Sequence, residues 1–161
     1  MARAGFYAVE SGKISFRRDG HWYNDEERIE NPRIALLFSR SLKRAADGGF
    51  YLQVAEERAP ITIEDTPYVV VTVEDAPDGG VIVVTNDEER EPLDPATLAV
   101  GSGHVLYCAV KGGQFRARFL RSSYFHLANR FVAEDGGRSF AIEIGGRRYP
   151  IRYDAAANNP S

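Results

Sequence analysis

The chain of 161 residues contains one cysteine, Cys108, so it has no internal disulfide and no multi-cysteine zinc or iron–sulfur site. Its three histidines, His21, His104 and His126, lie far apart and in no His-x-x-x-His or Glu-x-x-His spacing, which argues against a histidine metal centre. There is no Walker-type phosphate loop, and Gly101-Ser-Gly103 lacks the third glycine of a dinucleotide fingerprint. Val100 stands where a Gly-x-Ser-x-Gly nucleophile turn would need glycine, so Ser102 and His104 read as a flexible turn. No apolar run approaches the roughly 20 residues that span a bilayer. Met1 to Phe6 lacks the apolar core of a secretion signal, so the expected setting is the cytoplasm, without membrane contact. The formal net charge is -3, which gives no global attraction for nucleic acid.

What is present is globular: 43% hydrophobic and 27% charged residues support a packed core. Ile14-Ser-Phe-Arg alternates apolar and polar residues into Asp19-Gly20, which predicts a hairpin continuing through His21-Trp22-Tyr23. Asn31-Pro32 is a helix start, and Ile34, Leu37, Phe38, Ser41, Leu42 and Ala45 recur at helical spacing until Asp47-Gly48-Gly49 stops them. Strands follow at Phe50–Val54, Ala59–Glu64, Tyr68–Val73 and Val81–Thr85. In the second half, Phe115, Phe119, Tyr124, Leu127 and Phe131 nearly fit one face, which predicts a long helix from about Gln114 to Ala133.

The halves echo one another. Leu37-Phe-Ser-Arg40 is matched by Leu127-Ala-Asn-Arg130, Asp47-Gly-Gly by Asp135-Gly-Gly, and Pro60-Ile61 by Pro150-Ile151. We therefore expect an α+β fold of mainly antiparallel sheet, built by duplication of a hairpin–helix–hairpin unit. The expected units are residues 1–80 and 81–153, followed by a flexible tail at 154–161.

Chemistry is sparse in this pattern. Cys108 sits in an apolar strand and reads as an inert buried thiol. Glu56-Glu57 and Glu64-Asp65 sit at strand ends where they would approach one cleft, and paired carboxylates can divide acid and base roles. Arg33, Arg40, Lys43 and Arg44 form a cationic helix face, with Arg116, Arg118, Arg121 and Arg130 as its counterpart in the second half. Arginine forks suit phosphate and carboxylate groups, although a solvated helix face has the same composition.

Arg18-Asp-Gly-His-Trp22, Leu37-Phe-Ser39, the Glu57-Arg58 turn, Ile63-Glu-Asp-Thr-Pro-Tyr68, Val84-Thr-Asn86 and Arg121-x-x-Tyr-Phe-x-Leu127 occur in an order that resembles the bacterial DUF1285 family. The family pattern has Thr-Pro-Val where this chain has Val54-Ala55-Glu56, and lysine where it has Arg58. The resemblance implies a duplicated cytosolic protein whose second half is loosely similar to pleckstrin-homology-like folds. It also implies a ligand cleft between the halves, suited to a nucleotide-like molecule, and a role in signalling. No activity is established for the family.

Three functions stay open. The first is a non-catalytic module that binds an anionic small molecule, with no cofactor or metal. In it Arg33 and Arg40 neutralise charge, Glu57 and Arg58 line the rim, Tyr68 or Tyr124 stacks or hydrogen-bonds, and Asp65 and Arg121 complete the set of ligand-binding residues. The second is a small hydrolase or isomerase that uses Glu57 and Asp65. The third is a scaffold that docks a protein partner on a sheet edge.

Overall fold

In the computed structural model, which describes residues 13–154, the Asp19-Gly20 hairpin joins β1 (Ile14–Phe16) to β2 (Trp22–Asn24). β3 (Glu27–Arg28) pairs onto β2. Helix α1 spans Pro32–Arg40, and its cap is as read: the Arg33 amide donates to the Asn31 carboxamide oxygen at 2.9 Å.

The helix ends five residues before the expected Ala45. Ser41 turns its hydroxyl back to the Leu37 carbonyl at 2.6 Å, and its own carbonyl accepts from the Gln53 amide. β4 (Leu42–Arg44) then pairs antiparallel with β5 (Phe50–Val54), so Asp47-Gly48-Gly49 is a hairpin turn rather than a helix stop. Lys43 and Arg44 consequently leave the helix face assigned to them. β6 (Glu57–Ile63) runs antiparallel to β5 and parallel to β1, completing a six-stranded sheet in the order β3-β2-β1-β6-β5-β4.

The change of sheet falls between Ile63 and Tyr68. The second sheet contains β7 (Tyr68–Asp75), β8 (Val81–Thr85), β9 (Arg90–Pro92), β10 (Ala99–Val100), β11 (Leu106–Val110) and β12 (Phe115–Phe119). After helix α2 (Arg121–Ala128) come β13 (Phe131–Glu134), β14 (Ser139–Ile144) and β15 (Arg147–Tyr153). The order is β13-β14-β15-β10-β11-β12-β7-β8-β9, with parallel joints at β15–β10 and β12–β7 and antiparallel pairing elsewhere. Neither order closes on itself, so the described residues form two open sheets with two helices and no barrel.

The long helix expected over 114–133 is not formed. Phe115–Phe119 is a strand held between β11 and β7, and Phe131–Glu134 is a second strand, leaving only Arg121–Ala128 helical. The alternation of Phe115, Ala117 and Phe119 decided this segment, because pairing on both sides repays a strand. Of the expected tail, residues 155–161 lie outside the described residues.

One core crosses both sheets. Phe16, Trp22 and Phe38 from the first half pack in the same cluster as Val69, Val70, Phe119, Leu127 and Ile142 from the second. Trp22 meets Phe38 edge-on at 5.7 Å and Phe16 at 4.8 Å. Burying each such ring contributes about 1.5–3 kcal/mol.

Candidate binding cleft at the seam between the sheets

Where the sheets meet, polar side chains fill the gap that the core leaves. The Trp22 indole donates to Ser39 Oγ at 3.0 Å, and Asn86 Nδ2 donates to the same oxygen at 2.8 Å. The Asn86 carbonyl oxygen accepts from the Val69 amide, so the three side chains tie α1, β2 and β7 together. Arg40 Nε donates to the Asp87 carbonyl at 3.1 Å, and Arg44 Nη2 to the Gln114 carbonyl at 2.5 Å, which makes two further crossings.

Beside these crossings lies an open cleft of about 870 Å³. Arg40, Lys43, Arg44, Arg90 and Lys111 line it as cations, with Tyr51, Tyr68 and Phe115 as aromatic walls. Tyr68 and Phe115 meet edge-on at 5.4 Å, and the Arg44 guanidinium lies 4.8 Å from the Phe115 ring centre. Three carboxylates, Asp87, Glu89 and Glu91, share the lining.

Asp87 is the best-held of the three. Its carboxylate accepts from Lys111 Nζ at 2.5 Å, from the Thr85 hydroxyl at 2.5 Å and from the Glu89 amide at 3.2 Å. Burial pushes its pKa up, but these bonds outweigh burial and hold it below the usual carboxylate value. Burial, with the Asp87 charge added, pushes the Tyr68 phenol up to about 12.

A second buried cluster sits nearby in the chain. Asp65 Oδ2 accepts from the Tyr107 hydroxyl at 2.8 Å and from Arg118 Nη1 at 2.7 Å, and burial with Asp65 raises the Tyr107 pKa. Burial also raises the pKa of the Cys108 thiol, which fits an inert side chain.

Of the eight residues singled out from sequence, the cleft brings together Arg40 and Tyr68. Asp65 is committed to Arg118 and Tyr107. Arg58 stacks on Tyr51 at 3.9 Å beside its own hairpin turn, and Arg33 is exposed on α1. Arg121 opens α2, and Tyr124 packs against Phe125 and Phe131. Glu57 and Asp65 do not approach one cleft: Glu57 begins β6 and Asp65 follows its end, and a strand of that length spans about 20 Å. Arg116 and Arg118 are on β12, not on a helix. Asp87, Lys111 and Phe115 escaped the sequence reading, since they come from turns and a strand far apart in the chain. The only signal was Lys111 at the Gly112-Gly113 turn, facing an acidic loop.

Residues 8–66 match the family model for the N-terminal domain of DUF1285, a domain of unknown function. Among solved structures, a DUF1285 family protein from Silicibacter pomeroyi DSS-3 is 26% identical with a TM-score of 0.68, over 87% of this chain and 79% of that one. The DUF1285 resemblance holds. A DUF1285 family protein from Shewanella baltica OS155, 20% identical, shares the fold with a TM-score of 0.59, over 74% of this chain and 93% of its own. No curated protein matches the chain.

The DUF1285 motifs fall largely on the seam. Trp22, Ser39 and Asn86 are the polar tie itself, and Asp65, Thr66 and Tyr68 meet β11 and β12. The motif residues therefore act chiefly as joinery between the sheets. Among the described residues no cluster of His, Cys, Asp and Glu could hold a metal ion, and no helix is long and apolar enough to cross a membrane.

Proposed function

We propose that the chain is a non-catalytic module that binds a small nucleotide-like anion at the seam cleft and acts in signalling. The observation that carries this reading is the convergence of Lys43, Arg44 and Lys111 with Tyr68 and Phe115 around one opening of about 870 Å³. Cations of this kind hold phosphate or carboxylate oxygens, and the aromatic walls supply a face for a planar ring. Asp87 holds Lys111 in place by an ion pair, so its ammonium is preorganised rather than recruited. The signalling role follows from the family resemblance alone. A cytoplasmic setting accords with a single, buried, unpaired Cys108.

A thermal-shift screen of nucleotides, nucleotide sugars and small phosphorylated metabolites tests the reading. A ligand at 100 times its Kd adds about 2.7 kcal/mol of stability. The expected result is a saturable shift that Lys43→Ala and Arg44→Ala both weaken. A flat screen, or a shift that neither variant alters, would remove the assignment and favour the protein-docking alternative.

We also propose that the two halves descend from one duplicated unit. In support, α1 leads into β4-β5-β6 with β6 parallel to β1, and α2 leads into β13-β14-β15 with β15 parallel to β10. Pro60 stands opposite Tyr51 as Pro150 stands opposite Ala141. The Glu64 amide donates to Phe16, and the Asp154 amide donates to Val100 in the same way. The repeat is carried by residues 14–63 and 99–153, inside the units 1–80 and 81–153, with β7 to β9 between them. A loose similarity of the second half to pleckstrin-homology-like folds is what the family resemblance alone implies.

A further inference from the structure

Tyr68 opens β7 at the seam and is 6% exposed, with its ring in the core cluster that both sheets share. Its carbonyl accepts from the Thr66 hydroxyl at 2.6 Å, yet among the described residues its own hydroxyl has no hydrogen-bond partner. The side-chain atoms sealed off without a partner among those residues are Asn24 Oδ1 and Arg118 Nε, so the unpaired Tyr68 oxygen keeps access to the cleft. A phenol this deeply placed and unpaired costs stability unless something in the cleft meets it. Burial beside Asp87 keeps it protonated, and it therefore offers the cleft a donor.

The groups around it are donors with capacity left. Lys111 Nζ lies 5.0 Å from the Tyr68 ring centre and gives one of its ammonium hydrogens to Asp87. Arg44 gives one N–H to the Gln114 carbonyl, and the Lys43 ammonium stands exposed on β4 with no partner among the described residues. The nearby acceptors are committed: Asp87 takes three hydrogen bonds, and Glu91 accepts the Lys111 amide with its two oxygens at 3.0 and 3.1 Å. Glu89, the third carboxylate, is exposed. The floor of the cleft is rich in free donors and poor in free acceptors.

We propose that this floor takes the terminal phosphate of a monoester, with the Tyr68 hydroxyl donating to one of its oxygens. The inference rests on the anion-binding reading of the seam cleft and names the group that enters it first. Donors reach the floor from β4, from β7 and from the turn after β11, which suits three oxygens arranged tetrahedrally. A carboxylate presents only two oxygens, in one plane. A diester also has only two free oxygens, and its second arm would be driven against Tyr68 and Phe115. Those rings meet edge-on at 5.4 Å and close the cleft against the core.

The test is a thermal-shift titration of the full chain by phenyl phosphate, with methyl phenyl phosphate and benzoate as matched probes. Phenyl phosphate is expected to give a saturable shift, with a Kd about tenfold or more below those of the other two. Tyr68→Phe keeps the ring and orphans no partner, so its urea midpoint at pH 7 should match that of the parent. Its Kd for phenyl phosphate should rise about tenfold. The preference of the parent among the three probes needs no variant and is an independent measure. Equal affinity for either comparison probe, or an unaltered Kd in Tyr68→Phe, overturns the proposal. If Lys43→Ala and Arg44→Ala still weaken binding in that case, the seam site stands and only the placement of the phosphate falls. No saturable shift with any probe also overturns the proposal, and a flat nucleotide screen beside it removes the seam reading as well.

Discussion

Asn86 Nδ2 and Ser39 Oγ meet at 2.8 Å across the seam, and the Trp22 indole donates to the same oxygen at 3.0 Å. Ser39 is 3% and Trp22 1% exposed, so the indole has no water as an alternative, whereas Asn86 is half-buried. Ser39→Ala orphans the buried Trp22 indole and is expected to cost about 1–3 kcal/mol in urea unfolding, because an unmet buried donor keeps its desolvation penalty. Ser39→Ala and Asn86→Ala should couple by about 0.5–3 kcal/mol in a double-mutant cycle. Strict additivity would mean that the tie contributes nothing across the seam.

Gly20 explains the glycine of the Arg18-Asp-Gly-His-Trp22 stretch. Its φ is +84°, and an added Cβ would stand 3.0 Å from Val69 Cγ2 and 3.4 Å from Leu120 Cδ1. The turn therefore needs the left-handed region and close approach to the second sheet at once. Gly20→Ala should destabilise by on the order of 1–2 kcal/mol from backbone strain alone. Val69→Ala in the Gly20→Ala background removes the clashing methyl, so the penalty of Gly20→Ala should shrink there. An undiminished penalty would assign the whole effect to the backbone.

These examples mark what the sequence could reveal. The β1–β2 hairpin and the α1 cap were legible because Asp19-Gly20 and Asn31-Pro32 act within a few residues. The end of α1 was not, since nothing local stops Leu42–Ala45 from continuing the helix. Pairing with β5 decides that segment, and pairing of β12 with β7 decides 115–119 in the same way. Long-range pairing leaves only a weak alternation in the chain. The cleft suffers doubly: Arg44, Tyr68, Asp87 and Lys111 come from four segments, and only the fold makes them neighbours.

Asp65 and Arg118 form an ion pair with side chains 6% and 17% exposed, reinforced by the Tyr107 hydroxyl. Removing the carboxylate leaves a guanidinium charge nearly buried and without its counter-ion. Asp65→Asn is expected to cost about 3–5 kcal/mol. Arg90 and Glu74 form a comparable pair with side chains 59% and 40% exposed, and Glu74→Gln should cost under about 1 kcal/mol. Chemical denaturation of the two variants side by side checks the contrast. Equal losses would contradict burial as the deciding factor.

The Asp87–Tyr68 pair sets opposite pH limits on the seam. The folded state holds the Asp87 pKa below the unfolded value of about 3.9, so its contribution to stability is present above that value and is lost as pH falls through the folded pKa. Asp87→Asn should lower stability at pH 7 and flatten the acid limb below about pH 4. Tyr68 has the opposite sign: its folded pKa of about 12 lies above the ordinary phenol value of 10.0. Its contribution is complete below pH 10.0 and is lost as pH rises toward about 12, because the unfolded chain ionises first. Tyr68→Phe should therefore remove part of the alkaline fall in stability over that window. Urea midpoints measured from pH 3 to pH 11 read both limbs. Parallel pH profiles for the parent and Tyr68→Phe would show that the phenol is not held neutral by burial beside Asp87.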